Sequence, residues 1–92
     1  MINLMFSVYD VKTKRYGNPF YAATEEEAIR SLVVAARDPQ SLLAMFPNDY
    51  ELYSIGFFDT ETCDVTPDER HYLGRLFDFI GDYNNEVQNN SK

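Results

Sequence analysis

The sequence predicts an α+β domain, a small antiparallel sheet of two to four strands packed against helices. Three observations carry that prediction. Residues 2–9 place Ile2, Leu4, Phe6 and Val8 on one face and Asn3, Met5, Ser7 and Tyr9 on the other, as in a strand packed on one side. Thr24-Glu-Glu-Glu27 is a capping box that opens an apolar stripe at helical spacing. Residues 50–58 are dense in aromatic side chains at period two and read as the strongest strand of the chain.

After the first strand, residues 10–18 read as a polar turn punctuated by Gly17-Asn18-Pro19, and residues 19–22 as an extended segment returning beside it. In the capping box the Thr24 hydroxyl accepts from the Glu27 amide and the Glu27 carboxylate reaches back to the amide of Thr24. Three glutamates in the first turn also suit the positive end of the helix dipole. Ile29, Leu32, Val33 and Ala36 then make the buried stripe of a helix over 25–37. Asp38 as N-cap and Pro39 in the first helical position predict a second, short helix over 39–46, carrying Leu42, Leu43 and Phe46.

In the strand over 50–58, Tyr53, Ile55 and Phe57 are expected on one face and Leu52, Ser54, Gly56 and Phe58 on the other. Apolar groups on both sides imply a central strand or a covered second face. Residues 59–62 turn the chain, and 62–66 pair back as a short strand. Tyr72, Leu73, Leu76, Phe77 and Ile80 fit a helical stripe over 67–80 with Thr66-Pro67 at its start. Gly74 and the run 76–80 leave an extended reading open. Residues 84–92 have almost nothing to bury and are expected to be a frayed tail, leaving one domain over 1–83.

Ninety-two residues, 45% of them hydrophobic and including seven Phe and seven Tyr, make one domain with a thin core. Eight Lys+Arg stand against 15 Asp+Glu, a net charge of −7. Such a field repels a polyanion and argues against strong non-specific DNA binding, while leaving room for a local basic patch or a protein partner. The surplus acid also serves simply to keep a small protein dissolved. A lone cysteine, Cys63, cannot close an internal disulfide and fits a reducing compartment. The first ten residues lack a basic leader, and no stretch approaches the roughly 20 apolar residues of a membrane span. A cytoplasmic protein without membrane contact is the expectation.

Catalytic and metal chemistry find little support. His71 is the single histidine, and Cys63 lacks a C-x-x-C partner. Asp59, Glu61 and Asp64 open like a calcium loop, but its sixth position is Asp64 where glycine is needed and its twelfth is Arg70 where glutamate is needed. Cys63 with His71 has no signalled oxyanion hole, so Cys63 reads as a small strand residue. The glycines are isolated, without a phosphate loop. The expectation is a binding protein, not an enzyme, with no cofactor and no metal. One cluster invites a ligand: Lys12, Lys14 and Arg15 beside Tyr16 suit contact with the backbone of single-stranded nucleic acid and stacking on its bases. The same cluster also reads as a solvated hairpin turn. Arg30 and Arg37, two helical turns apart, would extend the patch, or pair with Glu26 and Glu27. Tyr53, Ile55 and Phe57 form a candidate protein interface.

Several motifs occur in a distinctive order. They are Val8-Tyr9-Asp10-Val-Lys12, Tyr16-Gly17-Asn-Pro19-Phe20-Tyr-Ala22, Ala28-Ile29-Arg30, Phe46-Pro47-Asn-Asp49-Tyr50-Glu51-Leu52-Tyr53-Ser-Ile55-Gly56, and Phe58-Asp59-Thr-Glu-Thr62. The series resembles the small nonstructural protein of gokushoviruses, single-stranded DNA phages of the Microviridae, from about residue 5 to 66. The resemblance implies a phage accessory acting in the cytoplasm of the infected bacterium, in DNA replication or packaging, by analogy with the packaging protein of the isometric coliphages. The partners it implies are viral replication or procapsid proteins and single-stranded DNA. A purely protein-binding homodimeric adaptor is the alternative, since a small sheet has open edges and a thin core.

Overall fold

A computed structural model describes the backbone of residues 1–90 and the side chains of residues 1–85. The described residues form strands β1 (Ile2–Asp10), β2 (Arg15–Tyr16), β3 (Phe20–Ala22), β4 (Tyr50–Asp59) and β5 (Val65–Arg75), with helices α1 (Glu25–Ala35), α2 (Leu42–Met45) and α3 (Leu76–Asn90). A single 3₁₀ turn, Pro47–Asp49, leads into β4. All strand pairings are antiparallel, in the order β2-β1-β4-β5, with β3 also on β1. Since β4 lies along the whole of β1, the short strands β2 and β3 together make one edge of the sheet and β5 makes the other. The expected α+β class holds, with more strands than expected.

The period-two pattern of β1 decides which face is buried. Leu4, Phe6 and Val8 join Leu52 of β4 beneath α1 and α3, and Phe6, Leu52 and Leu76 are 0% exposed. Burying each such side chain stabilises the fold by roughly 1.5–3 kcal/mol. From α1 the core takes Ala28, Leu32, Val33 and Ala36, with Ile29 packed at its margin. The Thr24 hydroxyl accepts from the Glu27 amide at 3.2 Å as expected, while the Glu27 carboxylate accepts from Ala23, one residue before the expected amide. The helix stops at Ala35, just short of the expected 37.

Several expectations are corrected. Asp38 does not cap a helix at Pro39: its carboxylate accepts from the Gln40 amide at 3.0 Å in a local turn. The cap is Ser41, whose hydroxyl accepts from Ala44 at 3.1 Å, and α2 is a single turn. The expected helix over 67–80 is instead the strand β5 followed by α3. Cys63, expected within a strand over 62–66, sits in the β4–β5 turn at φ 65 and is exposed. The strand beyond it, residues 65–72, faces water on an outer edge, so it carries no apolar alternation to betray it. Gly74 at φ 152 makes the corner between β5 and α3; a Cβ there would lie 2.6 Å from the Phe79 ring. The expected tail over 84–92 continues α3 as far as Asn90, and residues 91–92 lie outside the described residues.

A further correction concerns β4. Phe6 pairs with Ser54 but Met5 pairs with Gly56, so Ile55 is an extra residue in a β-bulge. Beyond it the parity of the strand is reversed. Phe57 therefore faces Leu4 on the helical side, and the expected face of Tyr53, Ile55 and Phe57 is divided.

Candidate functional site

The face of the sheet turned away from the helices is built by the alternate residues of the same strands. Register aligns them in cross-strand rows. Tyr16, Tyr9, Glu51 and Arg75 form one row, and Ser7, Tyr53 and Tyr72 the next. Tyr21, Met5, Gly56 and Pro67 follow, then Phe58 between Asn3 and Val65. The first two rows bring four tyrosines together. Ring centroids are 4.6 Å apart for Tyr9 and Tyr16, 5.7 Å for Tyr16 and Tyr53, and 5.6 Å for Tyr53 and Tyr72. A second pair, Tyr21 and Phe58, lies at 5.4 Å. Tilted and edge-on contacts of this kind contribute about 0.5–1.5 kcal/mol each beyond simple burial.

Polar groups hold the rings in place. Ser7 is buried beneath them and donates to the Gly17 carbonyl at 2.8 Å. The Tyr53 hydroxyl donates to Glu51 Oε1 at 3.2 Å. Burial first, and then the Glu51 carboxylate, raise the Tyr53 hydroxyl above its usual acidity range, so it stays protonated as a donor. Arg70 reaches from β5 across the cluster: its guanidinium lies 5.3 Å from the Tyr16 centroid and donates to the Tyr16 hydroxyl. Tyr16 remains 41% exposed and Tyr72 56% exposed, so ring surface is still open to a ligand.

The expected basic residues lie in the β1–β2 turn and on the helical side of the sheet. Lys12 and Lys14 occupy the β1–β2 turn, where the Asp10 carboxylate accepts from the Lys12 and Thr13 amides and Lys14 adopts φ 59. Lys12 lines a hollow of about 410 Å³ with Asp10, Leu42, Phe46, Asp49 and Tyr50. Arg15 pairs across the strands with Asp10. Arg30 borders a different hollow with Glu26, Ile29, Phe79, Asp82 and Tyr83, and Arg37 follows the end of α1. Arg30 and Arg37 thus belong to the helical layer and do not extend the Tyr16 surface. Tyr9, Glu51, Arg70 and Tyr72 are the residues that sequence reasoning missed. Their signal was present as an excess of tyrosine at alternate strand positions, but the row exists only once the register is known.

The acid surplus is concentrated elsewhere. Glu25, Glu26 and Glu27 crowd the start of α1, Asp59, Glu61 and Asp64 the β4–β5 turn, and Asp78 and Asp82 belong to α3. Asp59 is held below the usual carboxylate range, chiefly by the Glu61 amide and further by the N-terminal ammonium 4.0 Å away. Among the described residues, no helix is long and apolar enough to cross a membrane.

No solved structure matches the chain. Protein ORF5 of Chlamydia phage 1 is 35% identical over 60 residues, which are 61% of this chain and 62% of that protein. The match therefore spans less than two thirds of that relative's length. The sequence model of the family described as Phage ORF5 protein matches residues 3–79, from β1 into the first turn of α3. This range contains every ordered motif on which the gokushovirus resemblance rests, and the resemblance is borne out. The chain belongs to the Phage ORF5 protein family.

Proposed function

We propose that this phage accessory protein binds single-stranded DNA on its tyrosine face and acts in viral DNA replication or packaging, by binding and not by catalysis, in the host bacterial cytoplasm. The observation that carries this reading is the cluster of Tyr16, Tyr9, Tyr53 and Tyr72 on the sheet face opposite the helices, with Arg70 laid across it. Aromatic rings on an open sheet stack unpaired bases without needing a particular sequence, at about 1–3 kcal/mol per base. In a duplex those base faces are already stacked, which favours the single strand. Stacking, not phosphate neutralisation, supplies the affinity in this arrangement, so the negative total charge opposes it less, and Glu51 is the one acid in the two tyrosine rows. Lys14, in the β1–β2 turn, offers a phosphate contact at one end of the cluster, whereas Arg15, opposite Asp10, turns to the other face of the sheet.

The test is a fluorescence-anisotropy titration of a labelled single-stranded oligonucleotide at several salt concentrations. The reading expects saturable binding with shallow salt dependence, weakened in Tyr72→Ala and in Tyr16→Ala. Absence of binding at low salt removes it.

A second reading has its own observation. Leu42 and Phe46 line the hollow that Lys12 borders and are 60% and 52% exposed, and Met45, next to Phe46 in the chain, is 55% exposed. An apolar surface of this kind suits a replication or procapsid protein, or a second copy of the chain. Light scattering distinguishes a homodimeric adaptor from a monomer, and Phe46→Asp would weaken such a contact while leaving oligonucleotide binding unchanged.

A further inference from the structure

We infer that Glu51 is a specificity-determining residue of the tyrosine face, one that favours guanine over thymine in the bound strand. The inference rests on the nucleic-acid reading above and names what that site selects.

Glu51 stands in the same cross-strand row as Tyr16 and Tyr9, directly opposite Tyr9, and its Oε1 accepts from the Tyr53 hydroxyl at 3.2 Å. A carboxylate is thus set among the rings, with its orientation held by one of them. Arg75, its cross-strand neighbour on β5, directs its guanidinium to Asp78 instead, 3.8 Å away. The Tyr53 bond uses one acceptor position of a group that has about four, so the rest of the carboxylate is available to a ligand.

What that ligand can present is limited by charge. A phosphate placed over Glu51 would meet like charge and an acceptor with nothing to accept. The backbone of a bound strand is therefore driven off this spot, toward Arg70 and the β1–β2 turn. A base stacked on Tyr9 or Tyr53 then turns its edge to Glu51. Unpaired bases are read on such edges by hydrogen bonds.

An ionised carboxylate accepts and never donates, so it selects bases by their donors. Guanine offers two adjacent donors, its ring N1–H and its exocyclic amino group, matching the two oxygens of one carboxylate. Cytosine and adenine each offer an amino group beside a ring acceptor. Thymine offers a single imino N–H flanked by two carbonyl oxygens, which the carboxylate repels. Guanine should be preferred most and thymine least.

The test compares oligo(dT) with the same oligo(dT) carrying a central guanine, by anisotropy, on the wild-type chain and on Glu51→Gln. The wild type should bind the guanine-bearing strand at least about fivefold more tightly, the lower end expected of a good two-bond base contact. Glu51→Gln should lose that preference while binding oligo(dT) at least as well as before, since a repelling charge is gone. Tyr53→Phe, which keeps the ring and removes the hydroxyl that orients the carboxylate, should narrow the preference. Equal affinity of the wild type for both strands overturns the inference and leaves the stacking site intact, and so does a guanine preference that survives in Glu51→Gln. Failure of both strands to bind the wild type at low salt overturns this inference and the reading beneath it.

Discussion

The two faces of one sheet use the same strands for opposite ends. On the helical face, Phe6 and Leu52 carry only carbon and are fully buried with Leu76 from α3. On the opposite face, the neighbouring positions carry Tyr9 and Tyr53, whose rings meet Tyr16 and Tyr72 but are not covered by a helix. A phenolic ring offers flat apolar surface together with a group that remains content in water, so such a face can stay exposed without collapsing or aggregating. The contrast separates residues that hold the fold from residues available to a partner. Substitution on one face should unfold the protein, and on the other it should silence it.

The largest effect is expected on the buried face. Leu52→Ala should cost about 2–5 kcal/mol in urea unfolding, a large part of the stability of a domain this small. Next comes the corner that joins β5 to α3. Gly74→Ala forces a side chain onto a backbone at φ 152 and against the Phe79 ring, and should cost roughly 1–3 kcal/mol by the same measurement. On the open face, Tyr72→Ala should change stability by no more than about 1 kcal/mol while weakening oligonucleotide binding by about 1–3 kcal/mol. An equal loss of stability and binding there would erase the distinction between the faces. Arg70→Ala should flatten the dependence of log affinity on log salt by about 0.7, the share of a single phosphate contact.

The smallest effect concerns pH. Asp59 has its acidity strengthened in the folded state, so its contribution to stability is present above its ordinary value of 3.8 and is lost as pH falls below it. Acid unfolding followed by circular dichroism should be slightly less steep in Asp59→Asn over that range. Oligonucleotide binding near neutral pH should not change, because Asp59 lies in the turn at the far end of β4 from Tyr53.

How much of this was legible in the sequence depended on whether a residue's neighbours were local. The alternation of β1 and the Thr24 cap are local patterns, and both appear where expected, with the Glu27 carboxylate displaced by one residue to the Ala23 amide. The strand β5 was not legible, because an edge strand bathed in water needs no apolar alternation. Two residues near its end, Tyr72 and Leu73, fell in step with the true helical stripe of α3 that begins at Leu76. The bulge at Ile55 was equally hidden: one extra residue, invisible to a period-two count, moves Phe57 to the face opposite Tyr53. Tyr16 was legible as a candidate beside its basic neighbours. Its partners Tyr9, Tyr72 and Arg70 were not, and Tyr53 was legible only as part of a separate interface, since up to 63 positions separate members of the cluster and only strand register unites them. Arg30 and Arg37 looked like companions because they share a helix face, yet that helix packs on the other side of the sheet.

The most direct test of the central claim is amide chemical-shift mapping of the isotope-labelled chain as a single-stranded oligonucleotide is added. The account predicts that the perturbed residues cluster at Tyr9, Tyr16, Glu51, Tyr53, Arg70 and Tyr72, with α1 and α2 quiet. Perturbations confined to Arg30, Arg37 and the α2 surface, or no perturbation at all, would contradict it.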